Sequence, residues 1–177
     1  MIYFFKYNSP VGLLVISSDG QNITGVWFEG QKYFANIMDG DAIEKDLPIF
    51  NSARKWFNLY FSGEEPGFTM LLAPKGSEFR QAVWKIICKI PFGKVITYGD
   101  IAKQLEKRFN GRKVSARVVG GAVGHNPISI VIPCHRVVGS NGSLTGYAGG
   151  LDKKIQLLEL EKVQMDKFFV PKKGTVL

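Results

Sequence analysis

Thr97-Tyr98-Gly99-Asp100-Ile101-Ala102-Lys103-Gln104-Leu105 reads as the start of a helix. Thr97 and Asp100 stand at capping-box spacing, with Asp where Glu or Gln is usual, and Ile101, Ala102 and Leu105 follow at helical intervals. A basic connector comes next, from Glu106 to Val114, in which Lys107, Arg108, Arg112 and Lys113 surround Asn110-Gly111. Ser115 can then cap a second helix, Ala116-Arg117-Val118-Val119-Gly120-Gly121-Ala122-Val123-Gly124. Helix, connector and small-residue helix form the outline of a helix-turn-helix, with a connector longer than the usual three or four residues. Glycine costs a helix roughly 1 kcal/mol per residue. Three of them in the second helix point to a close approach by another backbone or by a groove.

Upstream, Phe68 to Gly76 with Pro74 is the best boundary, dividing the chain into residues 1–74 and 75–177. Behind it, Ser77 can cap a helix from Glu78 to Ile90 with Phe79, Val83, Ile86, Ile87 and Ile90 on its apolar stripe, before the turn Pro91-Phe92-Gly93-Lys94. Cys88 falls off that stripe. In the first part, Ile2-Tyr3-Phe4-Phe5, Leu13-Leu14-Val15-Ile16 and Ile23-Thr24-Gly25-Val26-Trp27-Phe28 read as three antiparallel strands. A helix from Ser52 to Phe61 can cover them with Ala53, Trp56, Phe57, Tyr60 and Phe61. Nothing in residues 1–74 gathers nucleophiles or paired carboxylates, so this part reads as scaffold. The expected class is α/β (α+β): a small antiparallel sheet with a helix, then a mainly helical winged-helix or helix-turn-helix domain.

Downstream lies Ile130-Val131-Ile132-Pro133-Cys134-His135-Arg136-Val137-Val138, an apolar run interrupted by a turn. Pro133 fixes its own φ and pushes Ile132 toward an extended conformation. A thiol held there beside an imidazole is a candidate nucleophile, although a lone buried Cys more often serves as a small hydrophobe. Gly139 to Gly150 is a glycine-rich loop, either a plain connector or a wall of exposed N–H groups. A last helix from Asp152 to Lys162 turns Ile155, Leu158 and Val163 inward, with Glu161 near its end. The tail from Met165 reads as basic and frayed, with Phe168, Phe169 and Val170 able to dock.

Charge is unevenly spread. Residues 1–74 carry five Lys/Arg against eight Asp/Glu, a net of −3, whereas residues 75–177 carry eighteen against seven, a net of +11. A basic half beside an acidic one suggests a polyanionic partner. Two cysteines and two histidines cannot assemble a disulfide framework or a finger-type zinc site, and they suit a reducing compartment. No apolar run spans a membrane, and the start lacks the marks of a secretion signal. A cytoplasmic monomer without metal or cofactor is expected.

The ordered motifs of the second part resemble one family. Val83-Trp84, Ile90-Pro91-Phe92-Gly93, Tyr98-Gly99-Asp100-Ile101-Ala102, Arg117-Val118-Val119-Gly120-Gly121-Ala122, Asn126-Pro127, Ile132-Pro133-Cys134-His135-Arg136-Val137-Val138 and Gly146-Tyr147-Ala148-Gly149-Gly150-Leu151 follow one another as in the O6-alkylguanine-DNA alkyltransferases. They cover about residues 77–162; residues 1–74 are similar in outline only. The resemblance implies a methylated-DNA–protein-cysteine methyltransferase that flips O6-alkylguanine out of double-stranded DNA. It implies Cys134 as alkyl acceptor, with His135 and Glu161 as a relay to the thiol through water, and Asn126 as brace of the active-site turn. Tyr98 would rotate the nucleotide and donate a proton toward the guanine, while Arg117 fills the vacated place in the stack. By the same resemblance Ser115, Ala116, Gly120, Gly121 and Lys113 belong to the DNA-contacting surface, and Pro133, Val137, Val138, Tyr147 and Ala148 to the substrate pocket. The family's loop serine is Ala148 here; a backbone N–H makes its expected contact. The long connector at 106–114 is a second departure.

The chemistry fits those residues. An alkyl group moving from oxygen to sulfur needs a soft anionic nucleophile, and a free thiol is only a few per cent ionised at neutral pH. Three other readings compete. A papain-like hydrolase leaves Arg117 and the basic half unexplained. A helix-turn-helix regulator leaves the thiol unexplained. A non-catalytic alkylation-lesion-binding protein would lack the acceptor cysteine.

Overall fold

The computed structural model describes residues 1–31 and 42–172. Those residues form two compact units, one of residues 1–75 together with 127–129, the other of residues 76–126 and 130 onward.

In the first unit, β1 (Ile2–Ser9), β2 (Gly12–Ser18), β3 (Ile23–Phe28) and β4 (Ala42–Glu44) form a sheet in the order β3-β2-β1-β4. β1 and β2 are an antiparallel hairpin closing from Tyr3↔Ser18 to Ser9↔Gly12. β4, absent from the sequence reading, adds to the edge of β1 in parallel, so the sheet is mixed and not purely antiparallel. Leu14, Val15 and Ile16 on β2 are buried in succession, as are Val26, Trp27 and Phe28 on β3, so these two strands lose the alternation of a one-faced sheet. Trp27 lies across Gly25, where any Cβ would collide with the indole. Pro127–Ser129 belongs to this unit because Val26 N–H donates to the Pro127 carbonyl (2.9 Å) and Ser129 N–H to the Val26 carbonyl (3.0 Å).

α1 (Ile49–Phe61) buries Phe50, Ala53, Trp56, Phe57 and Tyr60, and its rings meet the sheet through Phe5–Phe50 (4.6 Å) and Tyr7–Phe57 (5.5 Å). The expected start at Ser52 is three residues late. Pro48 supplies the N-cap position, and the Ser52 hydroxyl donates back to the Ile49 carbonyl (2.7 Å) inside the helix, where it cannot cap. Phe61, placed on the inner stripe from sequence, is only half-buried.

The second unit contains α2 (Glu78–Ile87), β5 (Ile96–Thr97), α3 (Tyr98–Arg108), α4 (Ala116–Gly124), a 3-10 turn at Cys134–Arg136, β6 (Val137–Val138) and α5 (Leu151–Leu160). Ser77 and Ser115 cap α2 and α4 by accepting from Arg80 and Val118 N–H, and the Thr97/Asp100 capping box forms in full. α2 stops at Ile87 instead of Ile90, because Pro91 disfavours helical backbone in the residue before it. Its buried face is Ala82, Val83, Trp84 and Ile87; Phe79 and Ile86 are half-buried. Trp84 Nε1–H donates to the Ala122 carbonyl (3.0 Å), tying α2 to α4, whereas a Cβ added at Gly121 or Gly124 would meet nothing within 4 Å, so no neighbour in the fold makes the close approach expected at those two glycines.

β5 and β6 pair in parallel, Ile96↔Val137 and Thr97↔Val138. α5 buries Lys154, Leu157 and Leu158, while Ile155 and Val163, expected inward, are half-buried at the edge of the Val138–Leu144–Leu158 cluster. The segment after it is not frayed: Leu144 N–H donates to Phe169 O (2.8 Å), Phe169 N–H to Gly142 O (3.1 Å), and Phe168 packs on the same cluster. Gly142 is required there, since at φ +85° its Cβ would stand 2.5 Å from the Lys167 carbonyl oxygen. Residues 173–177 of the tail lie outside the described residues. No helix among the described residues is long and apolar enough to cross a membrane.

Candidate active site

The 3-10 turn carries Cys134, His135 and Arg136, all buried, with Pro133 at its N-cap position. The turn is held from two sides. Asn126, at the end of α4, donates through one amide nitrogen to the Ile132 carbonyl (2.7 Å) and to Cys134 Sγ (3.1 Å). Ile130 sits at φ +71°, a left-handed conformation costly for a β-branched residue, and its complete burial holds it there. Such strain clusters at functional turns.

Behind the thiol lies an ionic cluster. Glu161, at the C-cap of α5, accepts from His135 Nε2 (2.6 Å), Arg136 Nε (2.8 Å), Arg136 Nη2 (3.0 Å) and Gly93 N–H (3.1 Å). Arg136 Nη1 donates to the Ile90 carbonyl (2.6 Å), at the end of α2. Gly93 makes its contact at φ +71°, where a Cβ would stand 2.8 Å from the Glu161 carbonyl oxygen, so no larger residue could come as close. Burial opposes ionisation of Glu161, but the hydrogen bond and charge of His135, followed by the hydrogen bonds and charge of Arg136, outweigh it and hold the carboxyl at about 2. Burial pushes the His135 imidazolium down more than Glu161 lifts it, leaving a neutral imidazole at pH 7.

The glycine-rich loop forms the other wall. Tyr98, first residue of α3, is buried, and its hydroxyl donates to the Thr145 carbonyl (3.1 Å). Burial pushes that phenol up to about 12, and negative charge at Cys134 adds to the effect. Lys154 on α5 is wholly buried and donates to the carbonyls of Val137 (2.6 Å) and Thr145 (2.9 Å), joining the loop to the strand that follows the cysteine. Burial pushes its ammonium down to about 8, against the pull of Cys134. For the thiol itself, burial raises the pKa, while the Asn126 amide, the Lys154 charge and the N–H groups of Cys134 and His135 favour the thiolate.

Cys134, His135, Glu161, Tyr98 and Asn126, separated in sequence by as many as 63 positions, therefore meet in the second unit. Pro133 and Val137 are near neighbours of Cys134 in the chain, and the Tyr147 ring meets the His135 ring edge-on at 6.4 Å between centroids; Val138 is committed to the apolar cluster with Leu144 and Leu158, and Ala148 is half-buried. On α4, Ser115, Ala116, Arg117 and Gly121 are exposed, as is Lys113 before it. Gly120 does not join them: it falls on the buried side with Val119, Ala122 and Val123, because a helix advances about 100° per residue. Tyr98, expected also at the DNA surface, lies inside the fold.

Two participants escaped the sequence reading. Arg136 was visible beside the Cys-His pair, but nothing in the chain order says that it reaches Glu161. Lys154 had a signal: it lies three and four residues before Leu157 and Leu158, on the stripe that α5 buries, where a cation needs a reason to stand.

Chemically, the arrangement is a buried thiol under the charge of Lys154, with a neutral imidazole held by the Glu161–Arg136 pair as base and a phenol as donor. Such a site can generate a thiolate when needed and stabilise negative charge on a leaving group.

Comparison with known proteins agrees with the motifs. The family described as 6-O-methylguanine DNA methyltransferase, DNA binding domain, matches residues 78–163, and its ribonuclease-like domain matches residues 2–74. The chain is 45% identical over 163 residues to the methylated-DNA–protein-cysteine methyltransferase of Haemophilus influenzae, covering 92% of this chain and 87% of that protein. It is 40% identical to the protein of the same name from Methanosarcina acetivorans, covering 90% and 98%. Among solved structures, that of Mycobacterium tuberculosis OGT in complex with DNA superimposes with a TM-score of 0.79 at 37% identity, covering 94% of each chain.

Proposed function

The chain belongs to the 6-O-methylguanine DNA methyltransferase family, and on that premise we propose that it repairs O6-alkylguanine in double-stranded DNA by moving the alkyl group irreversibly onto Cys134. The observation that carries this reading is the environment of the thiol. Cys134 is buried with Asn126 on its sulfur, and the surrounding charges, Arg136, Lys154 and Glu161, leave one positive charge that a thiolate would balance.

α4 enters the groove with its exposed small residues, and Arg117 takes the place of the extruded nucleotide, offsetting part of an unstacking cost of a few kcal/mol. Neutral His135, oriented by Glu161, accepts the Cys134 proton through water. The sulfur attacks the alkyl carbon; the carbon–oxygen bond breaks, and its electron pair stays on the guanine oxygen. Tyr98, still protonated because its pKa is raised, gives a proton toward the guanine ring. The product is a thioether, which has no good leaving group, so the protein acts once. The second unit is the DNA-binding and acceptor domain and the first its scaffold, in a cytoplasmic monomer.

Intact-mass measurement after mixing with duplex DNA containing one O6-methylguanine tests the reading. One methyl group per chain is expected, mapped to Cys134 and not to Cys88, with a plateau set by the amount of protein. Sustained turnover, or a methyl on Cys88, would overturn it.

A further inference from the structure

A cavity of about 700 Å³ lies in the second unit, lined by residues of the α2 start, the connector and the α4 start, none of them in the site around Cys134. Its volume falls within the range of pockets that hold small organic molecules, about 300–1,000 Å³. Phe79 and Phe109 stack at 6.4 Å between centroids and form its aromatic wall, and Val114 and Val118 add aliphatic surface. The capping hydroxyls of Ser77 and Ser115 are occupied by their own helices, so the interior presents mostly carbon. Arg112 and Lys113 line it as cations and Glu78 as an acid, a net of one positive charge.

The connector that supplies Phe109, Arg112 and Lys113 is folded, not slack. Asn110 and Gly111 both take positive φ, Gly111 N–H returns to the Glu106 carbonyl (2.8 Å), and Val114 N–H donates to the Glu106 carboxylate (3.0 Å). The extra length of this connector thus builds a wall. The cavity also shares Ser115 and Val118 with the exposed side of α4, and Val118 is 54% exposed.

We propose that this cavity is a second nucleotide-binding site, taking one base and sugar of the DNA strand that passes the start of α4. It rests on the reading of α4 as the DNA-contacting helix. Phosphate contact alone would need only cations; an apolar cavity beside them is suited to a base, whose faces stack on aromatic rings. Arg112 and Lys113 then meet the adjoining phosphate.

Amide NMR spectra of the full-length chain, titrated separately with dAMP, deoxyadenosine, inorganic phosphate and a short oligodeoxyadenylate, test the assignment. dAMP and the oligonucleotide are expected to shift the amides of Phe79, Phe109, Lys113 and Val118 saturably. Phe109→Ala should weaken dAMP binding about tenfold, the equivalent of one base–aromatic contact. Arg112→Gln with Lys113→Gln should weaken dAMP binding but not that of deoxyadenosine; this exposed pair decides the matter if Phe109→Ala fails to fold. Phosphate reproducing the dAMP shifts would reduce the site to an anion contact and overturn the proposal. Oligonucleotide binding that leaves these amides unmoved would overturn it as well. Methyl transfer to Cys134, measured on the same protein, separates the two readings: transfer with a silent cavity sinks only this one.

Discussion

Tyr98 and Lys154 end on the same acceptor: the phenol hydroxyl and the ammonium both donate to the Thr145 carbonyl, at 3.1 and 2.9 Å. One comes from the start of α3 and the other from α5, so the loop that closes the site is pinned between two helices. The same lysine reaches Val137, three residues beyond the cysteine.

Lys154→Met is therefore expected to act on the thiol without touching it. Removing the cation takes away a charge that favours the thiolate, so the Cys134 pKa should rise further. The pH profile of Cys134 alkylation by iodoacetamide should move to higher pH, and methyl transfer at neutral pH should slow by about tenfold or more. An unchanged profile would mean that Lys154 only packs.

Acid should expose the Glu161 cluster. A carboxyl held at about 2, against an ordinary 4.5, contributes stability that is complete above pH 4.5 and lost as pH falls toward 2. His135, whose pKa is lowered, adds a loss in the same direction, beginning as the unfolded chain takes its proton below pH 6.5. Glu161→Gln strands Arg136 in the interior and should cost about 3–5 kcal/mol at pH 7. Urea unfolding at pH 7 and pH 3 should show the gap between the two proteins narrowing as the medium becomes acid.

Arg117 and Tyr98 should separate on substrate. Arg117 is exposed on α4 whereas Cys134 is buried, so Arg117→Ala is expected to slow repair of duplex DNA by on the order of 10- to 100-fold, the scale of a lost extrusion partner. Reaction with free O6-benzylguanine should change far less. Tyr98→Phe should slow both, because it removes the proton donor itself. Equal losses for Arg117→Ala on the two substrates would argue against its place in the stack.

Much of this was legible in the chain because its signals are local. Ser77, Thr97 and Ser115 cap helices through backbone groups three residues away, and Pro133 sets the turn at the cysteine through its own ring. The family resemblance carried by the ordered motifs also implied that His135, Asn126 and Glu161 serve one site with Cys134. What tertiary structure decided was everything set by contacts across long separations. Parallel pairing of β4 with β1, the return of residues 127–129 to β3, and the docking of Phe169 on Gly142 depend on backbone groups that carry no side-chain signature. Gly120 and Gly121 are the same residue type in adjacent positions, and only the packing of α4 on α2 and α3 turns one inward and leaves the other exposed. Arg136 and Lys154 show the same limit in the site. A charged side chain is assigned to solvent from sequence alone, and burial becomes tolerable only where carbonyls and a carboxylate from distant parts of the chain converge to satisfy it.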